Sequence, residues 1–152
     1  MRLLLQRVTE ASVTIQGERI SAIGPGLLVL VGIGPQDGEA QVQYLAQKAV
    51  SLRIFSDEEG KMNRSLLESG GQMLAVSQFT LYGNCKKGRR PSFVGAAAPE
   101  QANRLYEAFL SQVERLGVPV QAGRFGAEMQ VALVNDGPVT LWLDSDELMP
   151  KS

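Results

Sequence analysis

The run Leu27–Ile33, LLVLVGI, constrains this chain more than any other feature. It is apolar or glycine throughout, partly β-branched and without alternation, as expected of a strand buried on both faces. Turn residues bound it, Gly24-Pro25-Gly26 before and Gly34-Pro35-Gln36-Asp37-Gly38 after. A strand covered on both sides needs further layers. A chain of 152 residues supplies them as one domain, burying roughly 68–70% of its unfolded surface without needing a metal or disulfide.

Strand patterns surround that run. Met1–Val8 reads as a first strand, and Ser12–Gln16 and Arg19–Ile23 flank a two-residue turn at Gly17-Glu18. Arg53–Ser56 is a short strand before the turn-rich Asp57-Glu58-Glu59-Gly60, the segment to Gly71 reads as irregular, and Gln72–Phe79 is a strand. Thr80–Phe93 is a loop rich in glycine and basic residues. Val118–Gln121, Met129–Val134 and Val139–Leu143 follow as strands, the last two joined by Asn135-Asp136-Gly137-Pro138. Two stretches have helical spacing. Glu39–Leu52 places Val42, Leu45, Ala46, Ala49 and Val50 on one stripe. A second helix opens at Pro99 and turns Leu105, Phe109, Val113 and Leu116 inward. Strict βαβ alternation is missing, so the expected fold is α+β. It is a single domain over residues 1–152, with a barrel-like, antiparallel-rich or mixed sheet and two main helices packed outside. Residues 144–152 read as a frayed, mobile acidic tail.

Composition narrows the chemistry. The chain has no histidine, which removes Ser-His-Asp and Cys-His triads and imidazole proton shuttles. One cysteine, Cys85, forms neither a thiolate zinc site nor an internal disulfide, and suits a reducing cytoplasm. No metal or other cofactor is expected. The opening MRLLLQRVTE is too short in apolar residues for a signal peptide, and no stretch reaches the roughly 20 residues that span a bilayer. Fifteen basic and sixteen acidic residues give a net charge of -1. No global field draws the chain to membrane or DNA, so any RNA contact is local.

Several motifs fail on inspection. Gly32-Ile33-Gly34 lacks the third glycine of a dinucleotide fingerprint, because Asp37 stands there. Gly83–Arg90 resembles a P-loop frame, but Arg89 and Arg90 replace its lysine and hydroxyl residue. The cluster Lys86, Lys87, Arg89 and Arg90 is still the densest positive charge, readable as a solvated loop or a phosphate-contacting one. The acidic residues at 57–59 and 144–147 look solvated, so paired-carboxylate chemistry is not favoured. Ser77-Gln78-Phe79-Thr80, where a buried strand enters a glycine-rich loop, is a candidate site. Asn135–Thr140 is either a hairpin or a special turn. Were its Gly-Pro bond cis, two carbonyls would form a rigid acceptor pair able to hold an ammonium group.

SQFTL (Ser77–Leu81) and NDGPVT (Asn135–Thr140) together resemble the signature of the D-aminoacyl-tRNA deacylase family. The likeness extends to QRV (Gln6–Val8), ASVT (Ala11–Thr14), GLLVLVGI, RIFSD (Arg53–Asp57), RPSF (Arg90–Phe93) and GRF (Gly123–Phe125). It implies a homodimer with active sites at the interface, each completed by a Gly-cisPro element from the partner. The implied reaction is hydrolysis of the ester joining a D-amino acid to the 3′ end of tRNA. By position, Ser77, Gln78, Phe79 and Thr80 would line the catalytic pocket. Gly137 and Pro138 would read chirality, Met129 and Phe125 would help form the pocket, and Arg7 would brace the Gly-Pro element. Lys86, Lys87, Arg89 and Arg90 would meet tRNA.

An activated ester needs no histidine. A positioned water, backbone N–H donors near Phe79 and Thr80, and the ribose 2′-OH are favoured over Thr80 as a covalent nucleophile, which lacks an evident base. The competing readings are a non-catalytic RNA-binding module and a tRNA editing domain acting on a mischarged L-amino acid.

Overall fold

The computed structural model describes residues 1–150. Strand β1 (Arg2–Ile15) is its spine and merges two strands expected from the sequence. A tight turn leads to β2 (Glu18–Ile23); it lies at Gln16-Gly17, one residue before the expected Gly17-Glu18, because Gln16 and Gly17 adopt the left-handed φ of 49° and 79° that a two-residue hairpin demands. The first half of β1 pairs antiparallel with β3 (Gly26–Gly32), its second half pairs with β2, and β8 (Gln130–Asp144) runs along its other edge. Strand β6 (Gln72–Ser77) joins β3 in parallel, and β7 (Val120–Ala122) joins β6 in parallel. Side-chain amides bring the far ends together. Gln121 accepts from the Ala22 N–H at 2.8 Å and Gln72 from the Gly24 N–H at 3.3 Å, so the mixed sheet is a nearly closed barrel.

The expected two-sided burial of Leu27–Ile33 has a direct structural counterpart. Leu27, Val29 and Val31 pack toward helices α1 (Glu39–Ser51) and α3 (Pro99–Arg115). Leu28 and Leu30 face the barrel interior with Val8, Val13, Leu74 and Val76. Gly26 is required at the start of β3, since a Cβ there would lie 1.8 Å from the Gln72 carbonyl oxygen. The buried stripe of α1 is the one its spacing gives. On α3, Ala102 and Tyr106 join Leu105, Phe109 and Val113 in the core, while Leu116 is the half-buried C-cap. No helix among the described residues is long and apolar enough to cross a membrane.

Three further stretches differ from the sequence expectations. The expected short strand is present as β4 (Phe55–Ser56), but the segment read as irregular after it holds β5 (Met62–Arg64), which pairs with β4 as a hairpin, then the turn α2 (Leu66–Ser69). Its order comes from side-chain bonds. Asp57 accepts from the Asn63 amide at 2.9 Å and from the Lys61 and Glu59 N–H groups, which holds its carboxyl below the ordinary value. Ser65 and Glu68 cap each other's backbone, each at 3.1 Å.

The stretch from Asp144 is the second difference. It forms the helical turn α4 (Ser145–Leu148), capped by Asp144, whose carboxylate accepts the Asp146 N–H at 2.9 Å. Ser145 is buried against Met1. Its N–H donates to the Met1 carbonyl at 2.9 Å, and its hydroxyl accepts from the Met1 ammonium at 2.8 Å, which also pairs with Asp37 at 2.7 Å. These partners lie 144 positions apart, so no local pattern announces the contact. Lys151 and Ser152 lie outside the described residues.

The third difference concerns Asn135–Pro138, which joins no pair of strands. Both flanks belong to the single strand β8 and both pair with β1. Between the pairs Gln6↔Thr140 and Val8↔Asn135, β1 advances two residues and β8 five, so the surplus bulges from the sheet.

Candidate active site

Strand β6 ends at Ser77, beside the end of β3, where the Gln78 N–H donates to the Val31 carbonyl at 2.7 Å. The chain then tightens into a 3-10 turn, Phe79–Tyr82. The two glycines of the rejected dinucleotide motif give this turn its seat. A Cβ on Gly32 would meet Leu81 at 3.0 Å, and one on Gly34 would meet the Tyr82 hydroxyl at 3.0 Å. Tyr82 is packed there, and burial raises its hydroxyl pKa.

Beyond the turn, Asn84 and Ser92 exchange backbone hydrogen bonds at 2.7 and 2.8 Å and close the basic loop at its base. That closure returns Phe93 to Phe79, with ring centroids 5.3 Å apart at 78°, an edge-to-face pair. The two rings form one lip of a cavity of about 600 Å³, whose walls include Ser77, Gln78, Phe125 and Met129. Phe125 leans on Tyr106, whose hydroxyl donates to the Ala75 carbonyl at 2.6 Å. Met129 lies across Gly123, where a Cβ would come within 2.6 Å of its sulfur, and the Arg124 N–H donates to that sulfur at 3.3 Å. This close crossing is the structural use of the glycine in GRF.

Ser77, Gln78, Phe79, Phe125 and Met129, distant in sequence, therefore line one cavity. Thr80 sits beside it, exposed, with its hydroxyl accepting a hydrogen bond from the Gln78 side-chain amide. Gly137 and Pro138 do not line this cavity. They are exposed on the β8 bulge, and the bond between them is cis.

The bulge is tied down from both sides. Arg7 Nε donates to the Asp136 carbonyl at 2.9 Å and lies 3.4 Å from the Asp136 carboxylate, while Arg7 Nη1 donates to the Ile54 carbonyl at 2.7 Å. The Asn135 amide donates to the carbonyls of Arg7 at 3.0 Å and Val139 at 3.2 Å. A Cβ on Gly137 would meet the Asn135 side-chain oxygen at 3.0 Å. Asn135 and Asp136 were not singled out from the sequence as site residues. Their place inside NDGPVT was the signal, since both side chains serve the geometry of the pair that follows.

Lys86, Lys87, Arg89 and Arg90 are exposed on the closed loop, and the chain runs from them directly into Phe93 on the cavity lip. Among the described residues none of the four forms an ion pair. No group of three or more acidic or cysteine side chains suited to a metal occurs among the described residues.

Residues 4–144 match the family model described as D-Tyr-tRNA(Tyr) deacylase. A D-aminoacyl-tRNA deacylase of Thermomicrobium roseum is 60% identical over 97% of this chain and 96% of its own length. A solved structure described as a c-Myc DNA unwinding element binding protein superposes with a TM-score of 0.91 at 44% identity, over 95% of this chain and 99% of its own. A probable eukaryotic D-amino acid tRNA deacylase superposes at 0.80 over 93% and 97%, and at 19% identity it speaks for the fold. With a family match over nearly the whole length, and both motifs in the order the sequence reading required, this chain belongs to the D-Tyr-tRNA(Tyr) deacylase family.

Proposed function

We propose that this protein hydrolyses the ester of D-aminoacyl-tRNA, releasing tRNA and the D-amino acid, with the cavity bounded by Ser77–Phe79, Phe125 and Met129 as its reaction site. The carrying observation is that residues from SQFTL and GRF, together with Met129, converge on one largely apolar cleft, and that the basic loop leads in sequence to Phe93 on its lip. An apolar recess with few polar groups suits a nucleoside and a reacting ester, and the loop cations suit the phosphates that follow.

In the 3-10 turn the first internal donor is the Leu81 N–H, to the Gln78 carbonyl at 3.2 Å. The N–H groups of Phe79 and Thr80 precede it and lie at the open end of the turn. They are the donors proposed to meet the oxyanion, each worth roughly 2.7–4 kcal/mol by comparison with other oxyanion holes. Water attacks the ester carbonyl, and the neighbouring ribose 2′-OH helps move the proton. Thr80 holds the Gln78 amide and is not the nucleophile.

Gly137 and Pro138 serve a second copy of the chain. They are exposed on a bulge outside their own cleft, and among the described residues the edge of β8 away from β1 has no partner strand. An unpaired edge of this length invites pairing. In the proposed homodimer each bulge enters the other cleft, where an L side chain meets backbone and a D side chain points away. Lys86, Lys87, Arg89 and Arg90 hold tRNA near the 3′ end. The site of action is the cytoplasm, where aminoacyl-tRNA is used.

The test is hydrolysis of D-tyrosyl-, L-tyrosyl- and glycyl-tRNA by one preparation whose mass in solution is measured. The expected result is a two-chain particle that cleaves the D ester, spares the L ester and cleaves the glycyl ester at a measurable rate. Comparable cleavage of the L and D esters overturns the chirality reading. RNA binding without turnover returns the chain to the RNA-binding alternative.

A further inference from the structure

Arg2 stands where the two motif-bearing elements meet, and nothing above gives it a role. Its Nη1 donates to the Leu81 carbonyl at 2.9 Å, and its Nε bonds to the Asp144 carboxylate at 3.2 Å. Its guanidinium carbon lies 4.3 Å from the Tyr82 ring centroid and 5.5 Å from that of Trp142. Leu81 and Tyr82 are the second half of the 3-10 turn whose first residue, Phe79, lines the cleft. Trp142 and Asp144 end β8, the strand that carries Gly137 and Pro138.

The turn needs an external support. Four residues in 3-10 geometry have few internal bonds, so the orientation of such a turn depends on what it leans against. Gly32 and Gly34 supply a floor, which limits approach without fixing direction. Arg2 supplies the directional contact, a charged donor on a carbonyl at the end of the turn. Its anchor is rigid too, because the Asp144 carboxylate is 9% exposed and already caps α4. Only a planar fork can make both bonds while presenting faces to two rings, which an ammonium cannot do.

We propose that Arg2 is a positioning residue for deacylation. It fixes the Phe79–Tyr82 turn against the end of β8, and so sets the aim of the Phe79 and Thr80 N–H groups. This rests on the reading of that turn as the catalytic wall.

The experiment compares wild type, Arg2→Ala and Arg2→Lys in D-tyrosyl-tRNA deacylation, with amide hydrogen exchange over residues 78–83. The expected result for Arg2→Ala is a kcat lower by about 10- to 100-fold with KM within about two-fold, the signature of a misplaced reacting geometry. Arg2→Lys loses most of the same rate, ethylguanidinium restores part of it to Arg2→Ala, and exchange rises at 78–83. A folded Arg2→Ala with wild-type kcat, or with a loss confined to KM, overturns the proposal. If Arg2→Ala does not fold, Trp142→Leu decides, since it removes one face that holds the guanidinium and alters no residue of the turn: a lower kcat with raised exchange at 78–83 supports the role, and an unchanged kcat overturns it. Should wild type itself fail to cleave the D ester, the site reading has failed, and exchange at 78–83 still reports whether Arg2 holds the turn.

Discussion

Arg7 donates to the carbonyl of Asp136 at 2.9 Å, and with its other nitrogen to the carbonyl of Ile54 at 2.7 Å. One side chain in β1 thereby fixes the bulge in β8 to the residue just ahead of the small hairpin of β4 and β5. This explains why QRV, RIFSD and NDGPVT occur together. Each supplies one part of a single clamp.

Arg7→Met removes both charge-assisted bonds and leaves two carbonyls without their donor. The expected stability loss is about 1–3 kcal/mol, because the bonds are to a charged donor that is mostly buried. The expected functional effect is a lower ratio of D- to L-tyrosyl-tRNA hydrolysis, measured in single turnover. An unchanged ratio in a folded variant would separate Arg7 from stereochemical control.

Thr80→Ala is expected to keep substantial activity. It loses the Gln78 amide contact, a net hydrogen bond worth about 0.5–1.5 kcal/mol, which corresponds to a rate loss near ten-fold or less. Complete loss of turnover in a folded variant that still binds substrate would make the hydroxyl the nucleophile after all.

Gly26→Ala tests the fold apart from the chemistry. Its Cβ would sit 1.8 Å from a backbone oxygen of the parallel partner strand, and no rotamer relieves a backbone overlap. The strands must part, at a cost of about 3 kcal/mol or more, read as a lower midpoint in urea. An unaltered midpoint would mean that β3 and β6 are not in this register.

Tyr106 gives a pH prediction with a definite sign. Burial raises its hydroxyl pKa from 10.0 to about 12, so the folded state favours the protonated form. That contribution is complete below pH 10 and disappears as pH rises from 10 toward 12. Tyr106→Phe should therefore lower stability at neutral pH, by losing the bond to the Ala75 carbonyl, and should lose less stability than wild type across that alkaline interval. Thermal melts of both proteins from pH 8 to 12 provide the comparison.

Lys86→Ala combined with Lys87→Ala should weaken tRNA binding and flatten its salt dependence by up to about 0.7–0.9 in log–log slope per lost phosphate contact. Hydrolysis of a minimal aminoacyl-adenosine ester should be spared. Equal slopes for the double variant and wild type would make the loop a solvated surface only.

Much of this molecule was legible because it obeys local rules. The two-sided burial of Leu27–Ile33 and the inward stripe of α1 follow from periodicity, and the first hairpin follows from Gly17, although its turn lies at Gln16-Gly17, one residue before the expected Gly17-Glu18. The motifs SQFTL and NDGPVT pointed to the correct family. What stayed hidden depends on partners far along the chain. Periodicity could not reveal that β8 runs unbroken through a Gly-Pro pair, because that continuity comes from β1, which pairs with both flanks and excludes the surplus residues. It could not show Asp144 and Ser145 ordered against the first residues, nor Arg2 beneath Leu81. The sequence by itself determined the layers, since apolar spacing is a local property, and its motifs carried the resemblance that implied the reaction. Only the tertiary structure decided which groups face one cleft and which face away from it, since side-chain direction at a site depends on strand register and on hydrogen bonds closed across the whole length of the chain.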